Sequence, residues 1–228
     1  MKLLRNISIE GTDYKVMISD EAFALEEAKS RGIATIAIDP EGILNLSLAE
    51  YAVGSLEVID NEFLKKVICR KHNKPLTILD TDRLSLRELT CDDYVKIESS
   101  QALSESGRYF EDEATFLNYI NITYRFFDYG IWAVEDRKNS DFIGMAGLYF
   151  RNDKGRYFLS YFIAPECRNK GYAYEISKEI IKKVYKKVKP AIEIKKGNTA
   201  SIKLAEKLSK YSKDMLKYSI DIFYLDVL

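Results

Sequence analysis

The decapeptide Ala164-Pro165-Glu166-Cys167-Arg168-Asn169-Lys170-Gly171-Tyr172-Ala173 constrains the fold of this chain more than any other stretch. An apolar run with strand character precedes it over 157–163, and a helical pattern follows it to residue 187. Arg168-x-x-Gly171-x-Ala173 therefore occupies a strand-to-helix turn, where Gly and Ala let a ligand come close to the backbone. Successive backbone N–H groups at such a turn, with a helix N-terminus behind them, make a cradle for an anion. Arg168 and Lys170 add positive charge on flexible stems. A diphosphate is the natural guest.

The segments around this turn read as a sheet with helices. Residues 81–89 alternate apolar and polar side chains, as a half-buried strand does. Thr90 and Asp92 can cap a helix running to residue 100. A polar connection over 101–110 follows. A second helix over 112–127 carries Phe116, Leu117, Ile120 and Tyr124 along one side. Strands are expected over 130–134, 141–150 and 156–164, with Asn152-Asp153-Lys154-Gly155 as a hairpin signal. Gly144 and Gly147 mark a bend or a close backbone approach. Beyond the turn, Ala173, Ile176, Ile180, Val184 and Val188 recur at helical spacing until Lys189-Pro190 stops the helix. A short strand over 191–194 leads to a last helix that opens at Asn198, and strand signals return over 218–227.

At these residues the chain resembles the GCN5-related N-acetyltransferases (GNAT), over roughly residues 77–228. That family's pyrophosphate motif, Gln/Arg-x-x-Gly-x-Gly/Ala, is matched by Arg168-Asn169-Lys170-Gly171-Tyr172-Ala173. Tyr161-Phe162-Ile163-Ala164-Pro165 and Glu175 are similar to the branch of ribosomal-protein N-terminal acetyltransferases. So is Thr81-Asp82-Arg83-Leu84-Ser85-Leu86-Arg87, against an opening strand of pattern Thr-x-Arg-Leu-x-Leu-Arg. Asn198, Ser201 and Glu206-Lys207-Leu208 match the pattern of the last helix. The chain departs from it at Ser209-Lys210-Tyr211, where the family continues Gly-Phe, so the last helix is expected to end differently.

The resemblance implies an α/β (α+β) fold with a mixed, mostly antiparallel central sheet flanked by helices. It implies acetyl-CoA as co-substrate and no metal, with an acetyl group passing to a primary amine by direct attack in a ternary complex. The acceptor is a protein N-terminus or a small molecule. Cofactor contacts fall on Arg168, Asn169, Lys170, Gly171, Tyr172 and Ala173 for the diphosphate. Phe162, Ile163 and Ala164 would serve the pantetheine arm beside a bulge in the fourth strand. Asn198 and Ser201 fall near the thioester end, although Asn198 is also a good helix N-cap. Tyr109, Phe110, Tyr124 and Asp128, with Glu111, are candidates to line the amine pocket. Proton transfer needs a base and an acid. Glu111 or Glu135 stands as base and Tyr211 as acid. A non-catalytic acyl-CoA-binding sensor or regulatory module is the alternative.

Composition narrows the classes. The 228 residues are 46% hydrophobic, enough for a sizeable core, and the net charge is zero. Fifteen basic residues face six acidic ones over 164–217, whereas ten face fifteen over 76–163. A basic half suits a phosphate-rich cofactor and an acidic half a cationic amine, though Lys178, Lys182, Lys183, Lys186 and Lys187 also read as the solvent face of one helix. Neither nucleic acid nor a membrane is indicated as a partner, and a homodimer stays open. Met1-Lys2-Leu3-Leu4-Arg5 meets charge at once, so no signal peptide is expected. Cys69, Cys91 and Cys167 suggest no disulfide framework or zinc site, which fits a reducing cytoplasm. His72, the one histidine, sits in a polar stretch without metal-type partners.

Residues 1–75 read as a separate, small Rossmann-like βαβ domain, joined to the domain over 76–228 by a polar linker at 70–75. Strands are expected over 14–18, 33–38 and 51–53, and helices over 21–31 and 60–70. Val16-Met17-Ile18-Ser19-Asp20 and the junction over 28–33 are similar to the later half of a haloacid-dehalogenase-type phosphatase. That family's nucleophile is the first Asp of an Asp-x-Asp pair on an earlier strand, and no such pair precedes this segment. Phosphoryl transfer needs a carboxylate nucleophile and a metal site, so this domain is expected to be non-catalytic.

Overall fold

A computed structural model of the chain describes residues 1–100, 110–216 and 219–225. The chain divides into two compact units, Met1–Leu76 and Thr77–Leu228. Among the described residues no helix is long and apolar enough to cross a membrane.

The first unit is a four-stranded sheet in the order β1-β2-β3-β4. Strands β2 (Thr12–Ser19), β3 (Ala34–Ile38) and β4 (Tyr51–Val53) run parallel. Their crossovers include the helix α1 (Ala22–Ser30), and α2 (Asn61–Lys71) follows β4. Val16, Ile18, Leu25, Ile36, Val67 and Ile68 are buried. The sequence reading anticipated only parallel strands. The structure adds β1 (Lys2–Ile9), paired antiparallel to β2 through a two-residue turn at Glu10–Gly11. Leu3, Ile7 and Ile9 form its less exposed face, but Arg5 interrupts that face and Leu4 lies off it, so the strand signal is weak. Two side chains tie the sheet to its surroundings. Asp60 caps α2 by accepting from the Phe63 amide at 2.7 Å. Glu50 accepts from the Thr35 amide and hydroxyl and from Lys71. Burial pushes the Glu50 carboxyl up, and those donors more than offset it.

The second unit is built on a mixed sheet whose described strands lie in the order β11-β10-β9-β8-β7-β6-β5. From β5 (Thr77–Asp80) through β6 (Leu84–Arg87), β7 (Ile131–Asp136), β8 (Phe142–Arg151) and β9 (Arg156–Ile163) the pairing is antiparallel. It turns parallel from β9 to β10 (Ala191–Lys195) and β11 (Ile222–Leu225). The strand expected over 81–89 forms only at Leu84–Arg87, and β5 lies ahead of that range, where no strand was foreseen. Thr81 stands in the turn between them, where its hydroxyl accepts from the Leu84 amide at 2.9 Å.

Four helices among the described residues accompany the sheet: α3 (Asp93–Ser99), α4 (Glu113–Phe127), α5 (Tyr172–Val184) and α6 (Thr199–Tyr211). Helix α4 starts at a capping box in which Asp112 accepts from the Thr115 amide and Thr115 returns a bond. The stripe foreseen on α5 is buried at Ile176, Ile180 and Val184, and the helix ends at Val184, three residues before the expected 187. Leu84, Leu86, Trp132, Val134, Ile176 and Ile180 belong to one core. Each fully buried aliphatic side chain of this kind contributes about 1.5–3 kcal/mol relative to exposure.

Candidate active site

The sheet opens between β9 and β10. Strand β9 pairs with β8 over its whole length, from Gly144↔Ile163 to Arg151↔Arg156, without a register shift. On its other side it meets β10 only at Phe158↔Ala191 and Leu159↔Ile192. Beyond Leu159 the two parallel strands diverge into a V. The bulge expected in the fourth strand is absent there. A register shift lies instead between Val134 and Glu135 on β7. Divergence thus comes from the end of the β9–β10 ladder, not from an inserted residue. Close approach of β8 requires glycine: a Cβ on Gly144 would stand 2.1 Å from the Phe162 carbonyl oxygen, and one on Gly147 would stand 2.0 Å from that of Gly130.

Antiparallel pairing alternates which backbone groups face a neighbour. Ala164 donates its amide to the Ile143 carbonyl at 2.9 Å, so Phe162 also faces β8, while Tyr161 and Ile163 face the V. This corrects the expectation for Phe162 and Ala164, whose backbones are used within the sheet. Of the three residues proposed to serve the pantetheine arm, Ile163 alone turns its amide into the opening. Tyr161, part of the family pattern but given no cofactor contact there, joins it; alternation counted from Ala164 finds it.

The V leads to the turn singled out in the sequence. A short 3-10 turn over Pro165–Cys167 and an extended Arg168 bring the chain to Asn169 and Gly171, both left-handed at φ 63° and 82°. Gly171 is the N-cap of α5, and no side chain caps the helix. The first amides of a helix have no intrahelical acceptor, and the dipole there favours negative charge. Asn169, Lys170 and Gly171 are exposed, and Tyr172 and Ala173 half-buried, so the turn is open to a ligand. Arg168 does not simply project outward. Its Nε donates to the Ile163 carbonyl at 2.9 Å, and its guanidinium lies 5.7 Å from the centre of the Phe162 ring.

Residues from the β5–β6 connection brace this turn. Arg83 donates through Nη1 to the Lys170 carbonyl at 3.0 Å and through Nε to Glu175 at 2.7 Å, and it lies over the Tyr172 ring at 4.6 Å. The Arg83 amide and the Thr81 hydroxyl bond the same carboxylate. Burial opposes the charge on Glu175, yet the Thr81 and Arg83 bonds hold its carboxyl below the ordinary range. The sequence showed Thr81 and Arg83 in a strand and family pattern and Glu175 in another, with nothing to join them. Their contact with Glu175 spans more than ninety residues and carries no local signal.

On the far side of the V, Asn198 caps α6 by accepting from the Ser201 amide at 3.0 Å. The Ser201 hydroxyl meets the Tyr161 phenol at 2.8 Å. Burial pushes the Tyr161 phenol up, partly countered by that bond. Tyr211 is the last residue of α6, half-buried, with the Lys178 ammonium 5.9 Å from its ring centre. The helix does run on past Leu208, then widens into a π turn over Ser212–Leu216.

The acceptor-side candidates fare differently. Phe110 is 2% exposed and packs edge-on against Phe116 at 5.0 Å. Tyr124 is likewise 2% exposed; its hydroxyl accepts from the Leu89 amide at 3.1 Å and donates to the Ile131 carbonyl at 2.5 Å. Burial pushes its phenol far up. Both are core residues, buried in the cluster that also holds Phe116, Ile120 and Trp132. Glu135 is also spoken for: Arg87 binds it at 2.5 Å and grips Asp93 with both guanidinium nitrogens at 2.6 and 2.8 Å. Glu111 and Asp128 are exposed, Glu111 just ahead of the α4 capping box and Asp128 at its left-handed C-cap. Tyr109 lies outside the described residues.

Residues 74–209 match the family model of the GNAT acetyltransferase domain. The chain belongs to the GNAT acetyltransferases. Membership means acyl transfer to an amine, and GNAT acetyltransferases use acetyl-CoA. Among solved structures, the chain is similar to a protein of Bordetella pertussis assigned to the GNAT acetyltransferases, at 19% identity and TM-score 0.49, covering 57% of this chain and 86% of that one. An acetyltransferase of Agrobacterium tumefaciens gives 20% identity and TM-score 0.45 over 57% and 81% of the two chains. A spermidine N-acetyltransferase variant of Vibrio cholerae gives 19% and 0.45 over 57% and 80%. No curated protein matches the chain.

The family match begins at residue 74, so the likeness of the first unit to a dehalogenase-type phosphatase gains no support from it. In the GNAT unit, the V and the turn fit a long ligand that carries amides at one end and a diphosphate at the other. The V supplies backbone groups at strand spacing, and the turn supplies helix-terminal amides that no side chain caps. Among the described residues no group of three or more His, Cys, Asp or Glu is placed to hold a metal ion.

Proposed function

We propose that the unit Thr77–Leu228 transfers an acetyl group from acetyl-CoA to a primary amine, on a protein N-terminus or a small molecule, by direct attack in a ternary complex. The observation that carries this reading is the V between β9 and β10 ending at the uncapped, left-handed turn before α5. Amides of the first turn of α5 and of Gly171 hold the diphosphate. Backbone groups of Tyr161 and Ile163 pair with the pantetheine amides and complete the interrupted ladder. The bound thioester supplies an activated acyl carbon. Backbone N–H groups along the open edge of β9 stabilise negative charge developing on its oxygen. Tyr211, at the end of α6, delivers a proton to the departing thiolate. Glu111 or water removes the proton from the attacking ammonium. The first unit takes no part in the chemistry.

Replacing Gly171 with Trp puts a side chain at a left-handed position, where L residues are strained, and drives it toward the Arg83 guanidinium behind the turn. Calorimetric affinity for acetyl-CoA should fall at least a hundredfold. Undiminished binding by that variant would remove the turn from the reading. A second reading, a non-catalytic acyl-CoA sensor, is favoured by the capture of Glu135 in the Arg87 ion pair. Thiol release measured against a panel of amines and N-terminal peptides separates the two: tight binding with no release on any acceptor is the sensor's outcome.

A further inference from the structure

We propose that Arg83 is a positioning residue for the diphosphate cradle, acting through the Lys170 carbonyl and the Glu175 carboxylate; this rests on the reading that the turn holds acetyl-CoA. A trans peptide unit is planar, with its C=O and N–H pointing in opposite directions. Lys170 O and Gly171 N belong to one such unit. The 3.0 Å bond from Arg83 Nη1 to Lys170 O therefore turns the Gly171 N–H to the opposite side, away from Arg83. Nη2 of the same guanidinium stands 3.7 Å from where a Cβ on Gly171 would lie, so it backs the left-handed residue directly.

Charge gives Arg83 a second task. Glu175 sits in the first turn of α5, where the helix end attracts anions. Uncompensated, its carboxylate would repel a diphosphate bound to that same end. Arg83 meets it with Nε at 2.7 Å and Nη2 at 2.6 Å, while the Arg83 amide bonds the other carboxylate oxygen at 3.2 Å. The Glu175 charge is spent on Arg83 and on the Thr81 hydroxyl. Arg83 itself is 47% exposed, so the pair contributes little to global stability. Its value lies in orientation. The Tyr172 ring under the guanidinium fixes the plane of the fork.

The test uses the full chain and two ligands, acetyl-CoA by calorimetry and S-acetylpantetheine, which lacks the diphosphate, by NMR titration. Arg83→Gln should weaken acetyl-CoA binding about tenfold or more, leave S-acetylpantetheine within about twofold, and barely move the thermal midpoint. Adding Glu175→Gln to Arg83→Gln should recover part of the loss, because it removes the unpaired charge. Arg83→Lys keeps the charge but not the fork, and should show the same ligand-selective loss in weaker form; it serves if Arg83→Gln fails to fold. Equal losses on both ligands, or no loss on acetyl-CoA, would overturn the proposal. Failure of the unmodified protein to bind acetyl-CoA is a separate outcome, and it overturns the functional reading together with this one.

Discussion

Arg87 shows how one side chain can withdraw a candidate from catalysis. Its guanidinium joins Asp93, fully buried, to Glu135, and the Thr90 amide and Lys96 complete the shell around Asp93. Burial alone would push the Asp93 carboxyl up; the Arg87 fork and the Thr90 amide more than offset this, so its pKa lies below the ordinary value. A lowered folded pKa contributes stability that is complete above the unfolded value, about 4, and lost as pH falls through the folded value. Asp93→Asn should therefore cost about 3–5 kcal/mol at neutral pH, because it leaves a buried guanidinium half-paired. Urea unfolding of both proteins at pH 7 and pH 3 checks this: the gap should narrow at acid pH, and a gap independent of pH would refute it. Phe110 and Tyr124 teach a related lesson. An aromatic residue on a helix face reads equally as core or as pocket in sequence, and only the contacts that enclose it decide.

At the scale of elements, the decisive feature is a ladder that stops. Strand β9 alternates its backbone between β8 and the V, so its amides should differ residue by residue. Amide hydrogen exchange should be slow at Ser160 and Phe162 and fast at Tyr161 and Ile163 in the free protein. Saturation with acetyl-CoA should slow the last two and leave the others unchanged. Uniform protection along 160–163 without ligand would mean that the V is closed. The apolar run over 157–163 and the stripe on α5 were legible, because burial on a sheet demands period 2 and burial of a helix period 3.6. The end of the β9–β10 pairing was not, since an unpaired and a paired strand carry the same apolar pattern. Thr81 likewise looked like one more alternating position, and its hydroxyl turned it into the break between β5 and β6.

For the molecule as a whole, zero net charge conceals a basic stretch over 164–217 that contains the turn and α5. Such a field speeds the approach of a polyanion and is screened over about 8 Å at physiological ionic strength. The association rate of acetyl-CoA should fall as salt rises, with the dissociation rate changing less; stopped-flow traces at low and physiological salt test this, and a salt-independent rate would deny steering. The two units also differ in how far their sequences spoke. In Thr77–Leu228 the turn motif, the helix cap at Asn198 and the buried stripes were written locally, because each depends on side chains within a few residues of one another. In Met1–Leu76 the apolar strands were legible, and the exposed β1 was not. The sequence by itself determined the strand-turn-helix around Gly171 and the periodic faces that pack around it. Only the tertiary structure decided which backbone groups of β9 face the V, that Arg83 grips Lys170 and Glu175, and that Glu135 is held by Arg87. Those outcomes depend on pairing between residues far apart in the chain, and a local pattern carries no record of its distant partner.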